Sequence, residues 1–382
     1  MRSEVTYVAV LALLIFGLNE ALSQSWSFQG QVSGWLASHP ENSPLSQTGL
    51  RYIPQLAVDM KSPGGLEFDV ELALNAYAMA SFARSRPPQY DGTVKAYRGW
   101  LRVSSRTFET RIGLQKLSFG SATMLRPLMW FDAIDPRDPL QMTDGVYALL
   151  VRYYFLNNAN IWLWGLYGND GKKGWELTPT KKNSLEYGGR MQTPLWSGEM
   201  AISYHHRKAD LNSLTSSQTA VAESFAQEDR FGLDGKWDVG PGVWVEAAIV
   251  HQHTDLTKTQ YQRQWTLGSD YRFDVGDGLT VMTEYLRSEA SNTLLGSGDG
   301  IGFSALSLNY PLGLVDRLSG ILYYDWTNAQ WYRFVAWQRT YDDWTLYFQG
   351  FWNPETIRLY QDQGSNNPFA GTGVRFMLVF NH

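Results

Sequence analysis

From Trp26 onward the chain alternates apolar and polar residues in short runs. Trp26, Phe28, Gly30, Val32 and Leu36 share one face, against Ser27, Gln29, Gln31 and Ser33. Leu66, Phe68, Val70, Leu72 and Leu74 oppose Glu67, Asp69, Glu71 and Asn75. Phe108, Thr110, Ile112 and Leu114 oppose Glu109, Arg111, Gly113 and Gln115. A period of two is the mark of a strand with one apolar face. The same rhythm predicts strands at 26–36, 50–60, 66–77, 94–104, 107–116, 146–155, 161–168, 185–194 and 199–207. It continues at 230–238, 243–253, 265–274, 279–287, 301–310, 318–326, 331–340, 344–352 and 373–380. The total is about 18 strands, within a range of 16–18.

The connections add a second regularity. Those after odd-numbered strands are mostly long, near 37–48, 78–92, 119–144, 169–183, 208–228, 288–299 and 353–370, with shorter ones near 254–261 and 327–329. Those after even-numbered strands are tight turns such as 61–65, 195–198 and 275–278. Long loops on one side and short turns on the other characterise a transmembrane antiparallel β-barrel, with long extracellular loops and short periplasmic turns. A secreted solenoid or sandwich also needs alternating strands but does not predict this asymmetry. The expected fold is therefore all-β, a closed barrel over 24–382. Its last strand presents Val374, Phe376, Leu378 and Phe380 to lipid, ahead of Asn381 and His382.

Residues 1–23 read as a secretory signal: Arg2, an apolar run from Val8 to Leu18, and Ala21-Leu22-Ser23 as the cleavage site. No later stretch reaches the roughly 18 to 20 apolar residues of a spanning helix. Aromatics are 14% of the chain against 18% charged residues, which suits rings at a membrane interface better than a soluble surface. The absence of cysteine excludes thiolate metal sites, thiol catalysis and disulfides. A net charge of -5 does not point to nucleic acid. The expected setting is the bacterial outer membrane, in contact with lipid and lipopolysaccharide.

The polar face carries both signs of charge, including Glu186, Asp234, Glu246 and Glu284. Many of these are expected to pair across neighbouring strands. Arg98, Arg102 and Arg111 lie on adjacent strands and predict a basic strip that orients an anionic solute, with Glu109 offsetting part of it. The insert at 119–144 combines prolines and aspartates with Met124, Leu125, Leu128, Met129, Trp130 and Phe131. These apolar residues need burial, which folding into the barrel or docking a protein partner provides. Inward folding makes Arg126, Trp130, Phe131, Asp132 and Asp135 candidates for a constriction, together with Arg190 on the lumen face.

No constellation predicts an enzyme, a metal ion or another cofactor. His205 and His206 are adjacent and face opposite ways. His251 and His253 share a face without a third ligand, and Asp132 with Asp135 makes only a weak calcium pattern.

The stretch Arg111-Ile-Gly-Leu-Gln-Lys-Leu-Ser-Phe-Gly120, followed by Trp130-Phe-Asp-Ala-Ile-Asp-Pro136, resembles a region of the alginate-export-type barrels. The residues that carry the resemblance are Arg111, Gly113, Gln115, Gly120, Phe131 and Asp132, and Leu114 stands where that family often has a second arginine. The resemblance implies a bacterial outer-membrane barrel of 18 strands with an arginine-rich lumen. The functional expectation is a channel for small hydrophilic solutes, including anions. The alternatives are a sheath around a protein partner such as a multihaem cytochrome, and a polysaccharide exporter. A homo-oligomer is a further expected assembly.

Overall fold

The computed structural model describes residues 23–40, 46–84, 86–212, 225–254, 259–354 and 369–382. Apart from Ser23, the expected signal segment lies outside the described residues. The strands are β1 (Ser23–Ser38), β2 (Ser46–Lys61), β3 (Glu67–Ala83), β4 (Arg86–Ser104), β5 (Phe108–Gln115) and β6 (Val146–Tyr154). They continue as β7 (Asn160–Tyr167), β8 (Leu185–Leu195), β9 (Gly198–Asp210), β10 (Phe225–Asp238), β11 (Gly242–His253) and β12 (Tyr261–Phe273). The last six are β13 (Leu279–Ser291), β14 (Asp299–Leu312), β15 (Asp316–Asp325), β16 (Gln330–Thr340), β17 (Trp344–Trp352) and β18 (Thr372–Asn381).

Each strand runs antiparallel to its neighbours in one 18-stranded sheet. Pairing of Gln31–Ser38 in β1 with Val374–Asn381 in β18 closes the ring. Closure gives every strand two partners, the condition for a sheet in hydrocarbon, where no water satisfies a free edge. The two faces differ as a barrel wall requires. Leu163, Ile202, Phe231, Leu267, Phe348 and Phe376 are exposed on the outside. Glu186, Arg207, Glu246, Thr266, Leu286 and Tyr323 are fully buried on the inside. An apolar outer wall around a polar, filled interior is stable only with lipid outside.

One expected long loop is absent. Residues 78–92 continue the hairpin of β3 and β4, with Ala78 paired to Gly92 and Ala80 to Tyr90. Pro87 and Pro88 made this segment read as a loop, but β4 meets β5 only through 99–104. The prolines sit on an edge where a missing N–H interrupts no ladder. Lower in the same hairpin a bulge inserts Tyr97 between Ala96, paired to Leu74, and Arg98, paired to Ala73. The extra residue resets the alternation, so that Lys95 and Arg98 both face inward.

Leu267→Arg, at the middle of the outer wall, is expected to destabilise the barrel by about 2–4 kcal/mol. Gln29→Arg, on the inner face of β1, is expected to stay within about 0.5 kcal/mol. Urea unfolding in lipid vesicles compares the two; equal effects would contradict this orientation of the faces.

Candidate functional site

The wall of the lumen is uneven around its circumference. From β13 to β17 it is apolar, with Leu286, Phe303, Tyr323, Tyr332 and Phe351 fully buried. From β2 to β6 it carries Arg51, Asp69, Glu71, Arg98, Glu109 and Arg111, with Arg102 and Arg152 on the same face. The 116–145 segment between β5 and β6 lies across this space. It touches β2 through Met142, β10 through the Ser121 hydroxyl, β11 to β13 through its backbone, β17 through the Arg137 carbonyl and β18 through Asp138. Only a segment inside the ring can reach strands on opposite sides of it.

Two carboxylates hold the insert by its backbone. Glu246 on β11 accepts from the amides of Ala122 at 2.8 Å and Leu128 at 2.6 Å. Glu284 on β13 accepts from Thr123, Met124 and Leu125 at 2.7, 2.9 and 2.6 Å. The Trp244 indole also donates to Glu284 at 3.0 Å. The Leu125 carbonyl accepts from the Thr266 hydroxyl at 2.6 Å. Irregular backbone inside a barrel has no ladder to satisfy it, so these side chains take that role. Gly120 has φ +108, and a Cβ there would collide with the Glu246 carboxylate. This position of the sequence motif requires glycine for both reasons.

The apolar residues of the insert follow the wall. Met124 and Leu125 join the Phe303, Tyr323 and Phe351 cluster. Leu117, Phe119, Leu128, Trp130 and Phe131 pack with Leu150, Trp164 and Ala248 of β6, β7 and β11. Trp130 and Phe131 are thus 3% exposed and act in packing, stacked around His205 and Phe119. Arg126 and Asp132 form a bidentate pair within the insert at 2.8 and 3.1 Å, and Arg126 also reaches the Phe119 carbonyl. Asp135 is held likewise by Arg137 at 2.7 and 2.8 Å. Arg190 is buried against Asp234, which also takes the Ser121 hydroxyl. Burial pushes the Asp138 carboxyl above its ordinary range, against the pull of Arg375.

A second segment folds over the first. In 168–184, Glu176 pairs with Arg230 at 2.8 Å and Arg207 at 3.2 Å, and Glu228 completes the cluster. The Trp175 indole donates to the Arg126 carbonyl at 2.8 Å. Lys173 pairs with Glu186, which also meets His205.

The strip of arginines is partly accessible. Arg102 pairs with Asp69 at 2.7 Å. Glu109 is shared by Arg111 at 3.1 Å and Arg152 at 3.5 Å. The Arg111 guanidinium lies 4.6 Å from the centre of the Trp100 ring, as the inward position of Trp100 requires. Arg51 and Arg98 have no carboxylate at ion-pair distance among the described residues. Arg98 instead donates to the Thr143 carbonyl at 3.1 Å and lies 3.9 Å from the Tyr97 ring centre. A cavity of about 510 Å³ lies between the Arg51 end of this wall and the insert, lined by Arg51, Tyr77, Lys95, Met142, Thr143 and Asp144. Arg98, Arg102, Glu109 and Arg111 stand out in the alternation of their strands, whereas Arg51 sits in a strand with a less regular alternation.

These faces define a porin-like outer-membrane barrel fold. Similar solved structures include OmpT, an outer membrane protein of Vibrio cholerae in a trimer form, with TM-score 0.50 and 10% identity over 95% of this chain and 99% of that one. Salmonella typhi OmpF in complex with daunomycin gives TM-score 0.51 and 10% identity over 94% and 97%. At such identities the likeness is one of fold. No protein-family model and no curated protein matches the chain.

Glu246→Ala is expected to leave the Ala122 and Leu128 amides unsatisfied at about 1–3 kcal/mol each and to loosen the insert. The readouts are faster proteolysis within 116–145 and larger single-channel conductance, with the heat-dependent gel shift of a closed barrel retained. Unchanged proteolysis and conductance would show that Glu246 does not anchor the insert.

Proposed function

We propose that the chain, after removal of a signal at 1–23, is an outer-membrane channel for small hydrophilic solutes with a preference for anions. The observation that carries this reading is the partly accessible wall of Arg51, Arg98, Arg102, Arg111 and Arg152, of which Arg51 lines the 510 Å³ cavity. Its acidic counterparts are Asp59, Asp69, Glu71 and Glu109, so five guanidinium groups face four carboxylates there. Of these arginines, Arg51 and Arg98 have the least local neutralisation and are best placed to lower the energy of an anion in transit. Arg126, Asp132, Asp135, Trp130 and Phe131 then set the width by holding the insert in shape, and Arg190 steadies its far side through Asp234.

The barrel contacts lipid and lipopolysaccharide on its outer wall in this reading, and a homo-oligomer is compatible with its fold. A sheath around a protein partner, and an exporter of polysaccharide, both call for a wide free lumen. Here the insert and the 168–184 segment occupy much of it, and the insert's apolar residues are buried within the chain itself. The arrangement does not call for catalysis.

Reversal potentials across planar bilayers under a salt gradient test the preference. Replacing Arg98, Arg102 and Arg111 together by alanine is expected to lower the anion-to-cation permeability ratio several-fold. Glu109→Gln is expected to raise it, by freeing Arg111 and Arg152. If neither changes the ratio, the strip does not select.

A further inference from the structure

We propose that the outer vestibule contains a second site, separate from the arginine wall, that binds a neutral saccharide. A cavity of about 540 Å³ lies between the insert, the 168–184 segment and β10 to β14. That volume is in the range of roughly 300–1,000 Å³ found for small-molecule pockets. Its floor is the outer side of the insert, at Pro127, Met129 and Trp130.

The chemistry of the lining selects the ligand class. Gln252, Gln260, Gln262 and Gln264 bring an unusual concentration of amides from β11, β12 and the loop between them. An amide donates and accepts, as a sugar hydroxyl does, so amides pair with hydroxyl groups in either sense. Trp175 adds aromatic surface, and a pyranose ring offers an apolar C–H face that packs on such a ring. The charged groups in the wall neutralise one another: Arg207 and Arg230 are paired with Glu176 and Glu228. Among the described lining residues no surplus cation remains to hold a phosphate or carboxylate.

Unsatisfied groups point the same way. The Gln264 side-chain nitrogen and the Trp130 indole nitrogen are buried without a hydrogen-bond partner. Gln264 is 3% exposed. Gln252 gives its nitrogen to Glu228 at 2.7 Å, which fixes the amide and leaves its oxygen to accept. A buried donor left unpaired is costly, and a small rotation of the Gln264 amide towards the cavity lets a saccharide hydroxyl accept from it. Trp175 is held ready by its bond to the Arg126 carbonyl.

Titration calorimetry of the purified full chain in detergent, with maltose, sucrose and citrate as probes, tests the site. Saturable binding of maltose or sucrose is expected, with citrate silent. Gln264→Met removes an unpartnered donor at nearly constant volume and is expected to weaken binding about tenfold, the factor for one lost hydrogen bond. Trp175→Leu is expected to weaken it as well, whereas Arg98→Ala, across the lumen, leaves it unchanged. Absence of saturable saccharide binding, binding indifferent to both vestibule substitutions, or preferential binding of citrate each overturns the proposal. The channel reading stands or falls separately on the bilayer measurements, because a vestibule site binds whether or not the path beyond it conducts.

Discussion

The interior depends on the grip of Glu246 and Glu284 on the free amides of the insert. A strand satisfies its backbone with its neighbours, but a crossing segment of irregular chain cannot. The two carboxylates supply a compact set of strong acceptors, and five amides converge on them. The grip places Met124 and Leu125 against the aromatic wall, and the rest of the insert follows. Arg126 and Asp132 then lock its bend, and Trp175 fastens the upper segment to the Arg126 carbonyl.

Because the insert is drawn towards the apolar side, the charged side is left with accessible surface. Polar wall and apolar wall therefore have separate roles. One is consumed in packing. The other keeps guanidinium groups near water, held by partners such as Asp69 and Glu109 that limit their motion without cancelling the charge. An insert lying on the arginines would have buried those charges at a cost of several kcal/mol each.

The strands were legible because a barrel wall imposes a period of two on almost every segment. Glu246 and Glu284 were legible as inward-facing for the same reason. Their role as anchors was not, since it depends on contacts across the ring that no local pattern records. The β3–β4 hairpin was cut short in the sequence reading because Pro87 and Pro88 signal a loop wherever a strand has two partners, and here it has one. Trp130 and Phe131 were recognisable as needing burial; their place in an aromatic cluster with His205 rather than at an opening was not. The glutamines of β11 and β12 carry no charge or motif that distinguishes them in sequence. They converge only when neighbouring strands bring them beside Trp175 and the insert.

The reach of the Glu246 and Glu284 contacts also dictates an order of events during biogenesis. Their partners in the insert lie 118 to 161 residues earlier in the chain. Until β11 to β13 have emerged and aligned, Met124 and Leu125 have no place to dock, and their apolar surface faces water. Contacts so remote in sequence form late and slowly. The unassembled chain therefore carries a sticky segment in its first half, and is more prone to self-association before closure than a barrel of equal size with only short polar loops.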